Sequence, residues 1–442
     1  MAGGGSWVRR SRSRLADVFN GEALLVAGFA AANVALSVGA NRLLTEVTPP
    51  KLLGDLYLFT NLALWLTLPT ATGFVYVTHH WSIAREGGVT TRLMRGLAVG
   101  QILQGVIIVV GVGAMRLTED LVATTSVAIA LGLSALGTAL AQAYGPIPAA
   151  ERRRLLVGFL GLLGGPGRQI ALAVGVILLS IGSASGLLWT QSTYLVAIGA
   201  ATLGAAIIVH RATRSDGGTS ISSRSQISLR AFLAYSAPNL VTVLATQLAT
   251  TSERWGLARL QDTTATALFV QAIGLASAGT GSLGGVFTGY FYPLVTQAAA
   301  KGEDPIGAAR KELRHFVGST SVAMFVTTAL GTVLAKPLLP LLFGSRFSGV
   351  GDLLPWAVAG AATFTVGQAL TVVLFVGREP LWPNVARIVA QVAYAACLIA
   401  YRPAVDPALQ YVRIYAAGQV LYVVLLLAAI AALRRRRSWA HG

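Results

Sequence analysis

The sequence predicts an all-α integral membrane protein with about twelve transmembrane helices. Three observations carry that expectation. The chain of 442 residues is 54% apolar and only 12% charged, with a mean hydropathy of +0.66. A water-soluble domain carries roughly 25% charged residues and cannot bury this much oil. Its apolar residues come in continuous runs of about 20, the length that crosses a bilayer at 1.5 Å per residue. Its 34 basic residues outnumber the 17 acidic ones, and most of the bases stand between the runs. That placement points to membrane orientation, and away from nucleic acid as a partner.

The expected spans in the first half are Glu22–Asn41, Leu56–Thr78, Leu93–Met115, Leu121–Tyr144, Leu155–Ile181 and Leu187–His210. In the second half they are Leu229–Gly256, Thr264–Leu294, Leu313–Ala335, Leu353–Val376, Leu381–Tyr401 and Ala408–Leu433. A β-barrel fits poorly, because barrel strands alternate apolar and polar residues over about ten positions. With the N-terminus assigned inside, the inner segments hold about 23 Lys and Arg and the outer ones about 7, as the positive-inside rule demands. Both termini are therefore expected in the cytoplasm, in a multi-pass protein of the inner (plasma) membrane. The first run, with its basic lead, reads as an uncleaved anchor.

The chain divides into a basic N-terminus (residues 1–21), a first lobe of six spans (22–210), a Gly- and Ser-rich cytoplasmic linker (211–228), a second lobe of six (229–433) and a basic tail (434–442). The central linker suggests two related halves.

Catalytic chemistry is sparse. The sequence contains no G-x-x-x-x-G-K-[ST] phosphate loop. With one cysteine, Cys397, and five histidines at span ends or in the tail, no zinc spacing occurs. His79 and His80 read better as interfacial residues than as metal ligands. No enzyme, metal or cofactor is expected; a carrier is.

Ionisable residues inside spans cost about 3 kcal/mol or more at the bilayer centre, so each raises a functional question. Glu253 is the clearly internal acid, whereas Arg168, Arg254, Arg387 and Arg413 are internal bases. An interior richer in guanidinium than in carboxylate suits an anionic substrate, since the Arg fork matches phosphate oxygens. Arg168 is the most informative, lying mid-span just after Gly164-Gly165-Pro166-Gly167. Pro166 removes a backbone donor and, with Gly167, marks a helix break of the kind transporters use at substrate sites. For Arg254, which follows Glu253, an ion pair near the outer end competes with a substrate contact. Arg387 can snorkel towards water. Of the span amides, Asn33, Gln169 and Asn239 are candidate contacts to sugar hydroxyls, and the others (Asn61, Gln104, Gln247, Gln271, Gln368, Gln391 and Gln419) line a wet path or bond between helices. Pro69, Pro238 and Pro355 are candidate kinks.

Certain stretches resemble a known family. FLAYSAPNLVTVLATQLATTSERWGLARL from Phe232, with Pro238-Asn239 early and Glu253-Arg254-Trp255 at its end, resembles the seventh helix of polysaccharide exporters of the multidrug/oligosaccharidyl-lipid/polysaccharide (MOP) superfamily. PLLPLLFGSRFSGVGDLLPWAVAG from Pro337 resembles their outer loop after the ninth helix, and Glu151 to Arg154 followed by Pro166 and Arg168 fits their fourth-to-fifth helix region. The resemblance implies a V-shaped pair of six-helix lobes around a central cavity, and alternating access for polyprenyl-diphosphate-linked oligosaccharide across the cytoplasmic membrane. Its implied partners are that lipid-linked glycan, membrane lipids and a glycan polymerase or glycosyltransferases. The lipid II flippases of the superfamily carry arginines in the first helix and two extra helices, features this sequence lacks. The drug exporters rely on buried carboxylates in the first lobe, which has none at mid-span here. A lipid II flippase, a cation-coupled drug exporter and a non-transporting membrane scaffold for glycan assembly stay open as alternatives.

Overall fold

The computed structural model describes residues 21–68, 90–118, 124–299 apart from 152 and 216–228, and 304–440 apart from 344, 378, 380, 402 and 404. The N-terminal stretch, Pro69, the His79–His80 pair and most of the linker lie outside them.

The described residues are almost wholly helical. The first half holds α1 (Gly21–Val47), α2 (Pro50–Leu66), α3 (Thr90–Thr118), α4 (Thr125–Tyr144), α5 (Arg154–Leu179 with an internal irregular turn) and α6 (Ala184–Ser215). The second half holds α7 (Leu229–Leu260), α8 (Thr263–Ala299), α9 (Arg310–Leu342), α10 (Val350–Val376), α11 (Leu381–Ala400) and α12 (Pro407–Ala440). Among the described residues nine of these helices, all but α1, α2 and α7, are long and apolar enough to cross a membrane. The other three stand where the remaining three spans were expected. This is a multi-pass membrane protein.

Local chemistry sets the ends. Thr124 starts α4 by accepting from the Val127 amide, and Asp406 starts α12 by accepting from the Leu409 amide at 3.2 Å, so each side chain satisfies one orphan donor of a first turn. Helix α2 begins at Pro50, six residues before the expected Leu56. Proline is preorganised for a first turn, and the leading residues are not wasted, because Leu53 and Leu56 are fully buried.

Helices of the first half pack chiefly on one another, with α4 against α6 the most extensive pairing, except that α2 packs most on α8; in the second half α10 is central, flanked by α8, α9 and α12, while α7 lies along α11. Gly137 lets α4 approach α6 closely, since a Cβ there would strike the Leu195 backbone.

The buried clusters divide by depth. Packing sets the starts of α3 and α5 beside the ends of α4 and α6, and the start of α11 beside the ends of α10 and α12; these helix ends, rich in arginine (Arg95, Arg153, Arg211, Arg310, Arg434), are termed here the basic end. Away from it, one large core runs through both halves, joining Leu44, Leu56 and Leu131 to Phe269, Phe347 and Tyr411. At the basic end each half keeps separate clusters: one around Tyr144 and Val209 in the first, two around Leu374 and Phe316 in the second. The halves are thus welded at the far end. Phe343 and Phe347, at the α9–α10 connection, stack at 6.4 Å in the shared core.

Three helices, α2, α7 and α8, carry the polar contacts of the weld. Along α2, Trp65 donates to the Thr251 hydroxyl at 2.8 Å, Thr251 to Asn61 Oδ1 at 3.1 Å, and Gln247 to the Asn61 carbonyl at 3.1 Å. Nearer the far end, a Cβ at Gly54 would collide with the Thr263 carbonyl of α8. Only glycine allows that approach.

Candidate functional site

The site grows from the irregularity in α5. A proline at position 166 has no N–H and its ring presses on the Leu162 carbonyl, so a regular helix is blocked there. Three flanking glycines let the backbone widen, and residues Leu163–Gly167 form a π-helical turn between Arg154–Leu162 and Arg168–Leu179. Such turns leave carbonyls in need of donors. The Tyr194 hydroxyl of α6 supplies one, donating to the Leu163 carbonyl at 3.0 Å. Helix α1 closes over the other side. Asn33 Oδ1 stands 3.3 Å from where a Cβ on Gly165 would lie, and the Phe29 ring covers Gly158 so closely that a Cβ there would sit 2.7 Å from it.

Arg168 is the first residue after the turn, near the middle of the span. Its Nε is buried and has no hydrogen-bond partner, and among the described residues no carboxylate pairs with it. The amide oxygens of Asn33, set against the turn at Gly165, and of Gln169, the next residue along α5, are buried and unpartnered as well. Buried polar groups are nearly always satisfied, so a local concentration of exceptions asks for an explanation.

A second arginine comes to the same place from the other half. Arg254, about 9 Å along α7 from its far end, donates through Nη1 to the Tyr57 carbonyl of α2 at 3.1 Å. Its Nε is buried and unpartnered. Tyr57 lies within electrostatic reach of both Arg168 and Arg254, and the two guanidiniums are within reach of each other. The Tyr57 hydroxyl accepts from Gln271 Nε2 of α8 at 2.7 Å. Two like charges from opposite halves thus sit within the depth spanned by the shared core, Arg254 lying between Ala249 and Leu257 of that core along α7.

Glu253 and Arg254 are neighbours in sequence but not partners. Consecutive helical residues point about 100° apart. Glu253 faces Tyr394 of α11 and Tyr415 of α12, within the second half, and makes no ion pair with Arg254 among the described residues. The Tyr394 hydroxyl is buried near that carboxylate without a settled hydrogen bond. Arg387 stands apart, its guanidinium 5.4 Å over the Phe364 ring with Tyr422 nearby and its Nε unpartnered. Arg413 is exposed over Trp356 at 5.3 Å. Pro238 and Asn239 lie within α7, with side chains outside the described residues. Pro355 lies inside α10.

The structure therefore brings Arg168 and Arg254 within electrostatic reach of each other and of Tyr57, sets Asn33 against the turn that precedes Arg168, and leaves Arg387 apart in the second half. Tyr57 was not foreseen. An aromatic in an apolar run passes for a lipid-facing residue, and the one signal available was that a buried tyrosine hydroxyl needs a partner. Among the described residues no group of three or more His, Cys, Asp or Glu side chains is placed to hold a metal. The arrangement offers guanidinium N–H groups that no carboxylate pairs with directly, the Glu253 charge reaching Arg254 without closing a salt bridge, to an anion with several oxygens.

No family model matches the chain, and no curated protein matches its sequence. Solved structures do. An inward-facing multidrug resistance MATE family transporter of the MOP superfamily aligns with a TM-score of 0.65 at 14% identity, covering 91% of this chain and 96% of that one. Lipid II flippase MurJ in an inward closed conformation aligns with a TM-score of 0.66 at 12% identity, covering 92% and 87%. A MOP superfamily transporter from Pyrococcus furiosus, described as having a binding pocket of reverse polarity that suggests a different function, aligns with a TM-score of 0.57 at 14% identity, covering 94% of each chain. These likenesses establish that the chain has the fold of MOP-superfamily transporters.

Proposed function

We propose that the protein is an alternating-access flippase of the cytoplasmic membrane, moving polyprenyl-diphosphate-linked oligosaccharide outward as the repeat unit of a polysaccharide. One observation supports this reading above the others: two guanidiniums from opposite halves converge beside Tyr57 with buried, unpaired Nε atoms. A diphosphate presents enough oxygens to satisfy both. The halves share a core at the far end and keep separate cores at the basic end, the arrangement of a V open to the cytoplasm. In this reading the diphosphate rises to the apex, Asn33 and Gln169 meet sugar hydroxyls, and Asn239 and Arg387 contact the glycan farther away. The lipid tail stays in the bilayer. The turn at Pro166 and Gly167, with Pro238, supplies compliance as the halves rock. The lipid-linked glycan, bilayer lipids and glycan-assembling enzymes are the partners.

A cation-coupled exporter is favoured by a different feature, the lone Glu253 carboxylate among Tyr394 and Tyr415. The two readings separate on the arginine. In a strain whose own exporter is deleted, Arg168→Ala is expected to reach the membrane, fail to restore the surface glycan and leave lipid-linked oligosaccharide accumulating inside. Full complementation by that variant would reject the anion site.

A further inference from the structure

Direct polar contacts between the halves concentrate at the weld. Its direct hydrogen bonds pass between α2 on one side and α7 or α8 on the other. One of them differs from the rest. Gln247, Thr251, Trp65 and Gln271 are neutral partners, Thr251 also bonding to the Gln247 carbonyl within α7. The Arg254 bond to the Tyr57 carbonyl is made by a guanidinium within electrostatic reach of Arg168 as well as of Glu253, with which it closes no salt bridge. It is a weak hold for a charged donor: a neutral backbone carbonyl satisfies one N–H while Nε stays buried and unpaired. Charge-assisted bonds to anionic oxygens are shorter and about twice as strong as neutral ones.

We propose that Arg254 is the latch of the far end, released by the anion it receives. This rests on reading Arg168 and Arg254 as the receptor for a phosphate-type anion. Without an anion, Arg254 ties α7 to the α2 backbone, and its charge and that of Arg168 repel across the apex. An anion with several oxygens draws Arg254 off the Tyr57 carbonyl and towards Arg168. The weld then loses its charged tie in the same event that loads the cargo. Asn61, one turn along α2, is already an incomplete partner, since its Nδ2 is buried and unpaired while Oδ1 and the carbonyl are engaged. A weld short of one bond at rest is poised to part once another is taken from it. Opening of the far end is thereby made conditional on a bound headgroup.

The test uses the full chain in lipid nanodiscs, with Cys397→Ser, Lys51→Cys and Asp262→Cys. The two new sites are exposed and flank the weld at its far rim. Spin-label distances are measured with and without inorganic diphosphate, whose binding is measured separately by calorimetry. Otherwise unmodified protein is expected to be short-distance at rest and to lengthen with diphosphate. Arg254→Met is expected to populate the long distance without any anion, raising the open-to-closed ratio roughly ten- to a hundredfold, the range for losing one hydrogen bond to a charged group. Arg168→Met is expected to remain short and to ignore diphosphate. If diphosphate binds the parent protein but Arg254→Met stays as closed as the parent, the latch is wrong and the receptor stands. If diphosphate does not bind the parent at all, receptor and latch fail together. Should Arg254→Met not assemble, Arg254→Gln, neutral and still able to donate to the carbonyl, is expected to stay closed at rest and at saturating diphosphate; opening on diphosphate would overturn the latch.

Discussion

Replacing Pro166 with alanine restores an N–H at the one place where α5 lacks it. A proline inside a helix costs about 3 kcal/mol, from the missing bond and the ring's clash with the carbonyl four residues back. Alanine at this position should return up to that amount to a regular helix running through Leu162–Arg168. The π-helical turn Leu163–Gly167 spends one residue more per turn than an α-helix. Straightening it therefore rotates the segment before the turn against the segment after it by about 100°. Asn33 and Tyr194 hold the turn from α1 and α6, so the rotation would fall on Arg168 and carry it away from Arg254. The expected result is a protein that unfolds at a higher temperature in detergent yet binds inorganic diphosphate at least roughly tenfold more weakly, one tenfold being 1.4 kcal/mol. A variant that is stabilised and binds diphosphate as before would refute the claim that the turn aims Arg168.

Three other substitutions probe separate parts. Tyr194→Phe deletes the donor to the Leu163 carbonyl and leaves that carbonyl buried, which should cost about 1–3 kcal/mol of stability, read as a lowered unfolding temperature; an unchanged midpoint would show that the turn does not need α6. Gly158→Leu drives a side chain into the Phe29 ring, an overpacking penalty of about 1–3 kcal/mol or more that should reduce the yield of monodisperse protein, and a normal yield would contradict the close α1–α5 packing. Arg387→Leu removes the guanidinium from the Phe364 face; diphosphate binding should be unchanged while glycan export falls, and loss of diphosphate binding would mean that Arg387 reaches the apex.

Much of the fold was legible because lipid imposes simple demands: a fixed apolar length and bases at one end. The interruption of α5 was legible too, since Gly164, Gly165, Pro166 and Gly167 leave few conformations open. What sequence could not supply was rotational phase. Glu253-Arg254 looks like an ion pair on paper, but neighbours on a helix diverge: the two charges act on each other without closing a salt bridge, while Arg254 bonds to Tyr57 and Glu253 faces Tyr394. The meeting of Arg168 with Arg254 joins residues far apart in the chain through a weld whose closest approach depends on Gly54, a glycine with no special context in α2. Asn61, Gln247 and Gln271 stood out as polar residues in apolar runs, yet nothing in their spacing showed that they bond across the two halves. The start of α2 at Pro50 was obscured by Lys51 and Asp55, charges that a hydropathy reading places outside the membrane.

The most direct test is the structure of the full chain determined in a lipid bilayer with inorganic diphosphate at saturation. Density for the anion bridging the guanidiniums of Arg168 and Arg254, with Arg254 released from the Tyr57 carbonyl, is the expected result. Arg168 turned into acyl chains, or the two arginines packed dry with no anion between them, would contradict it.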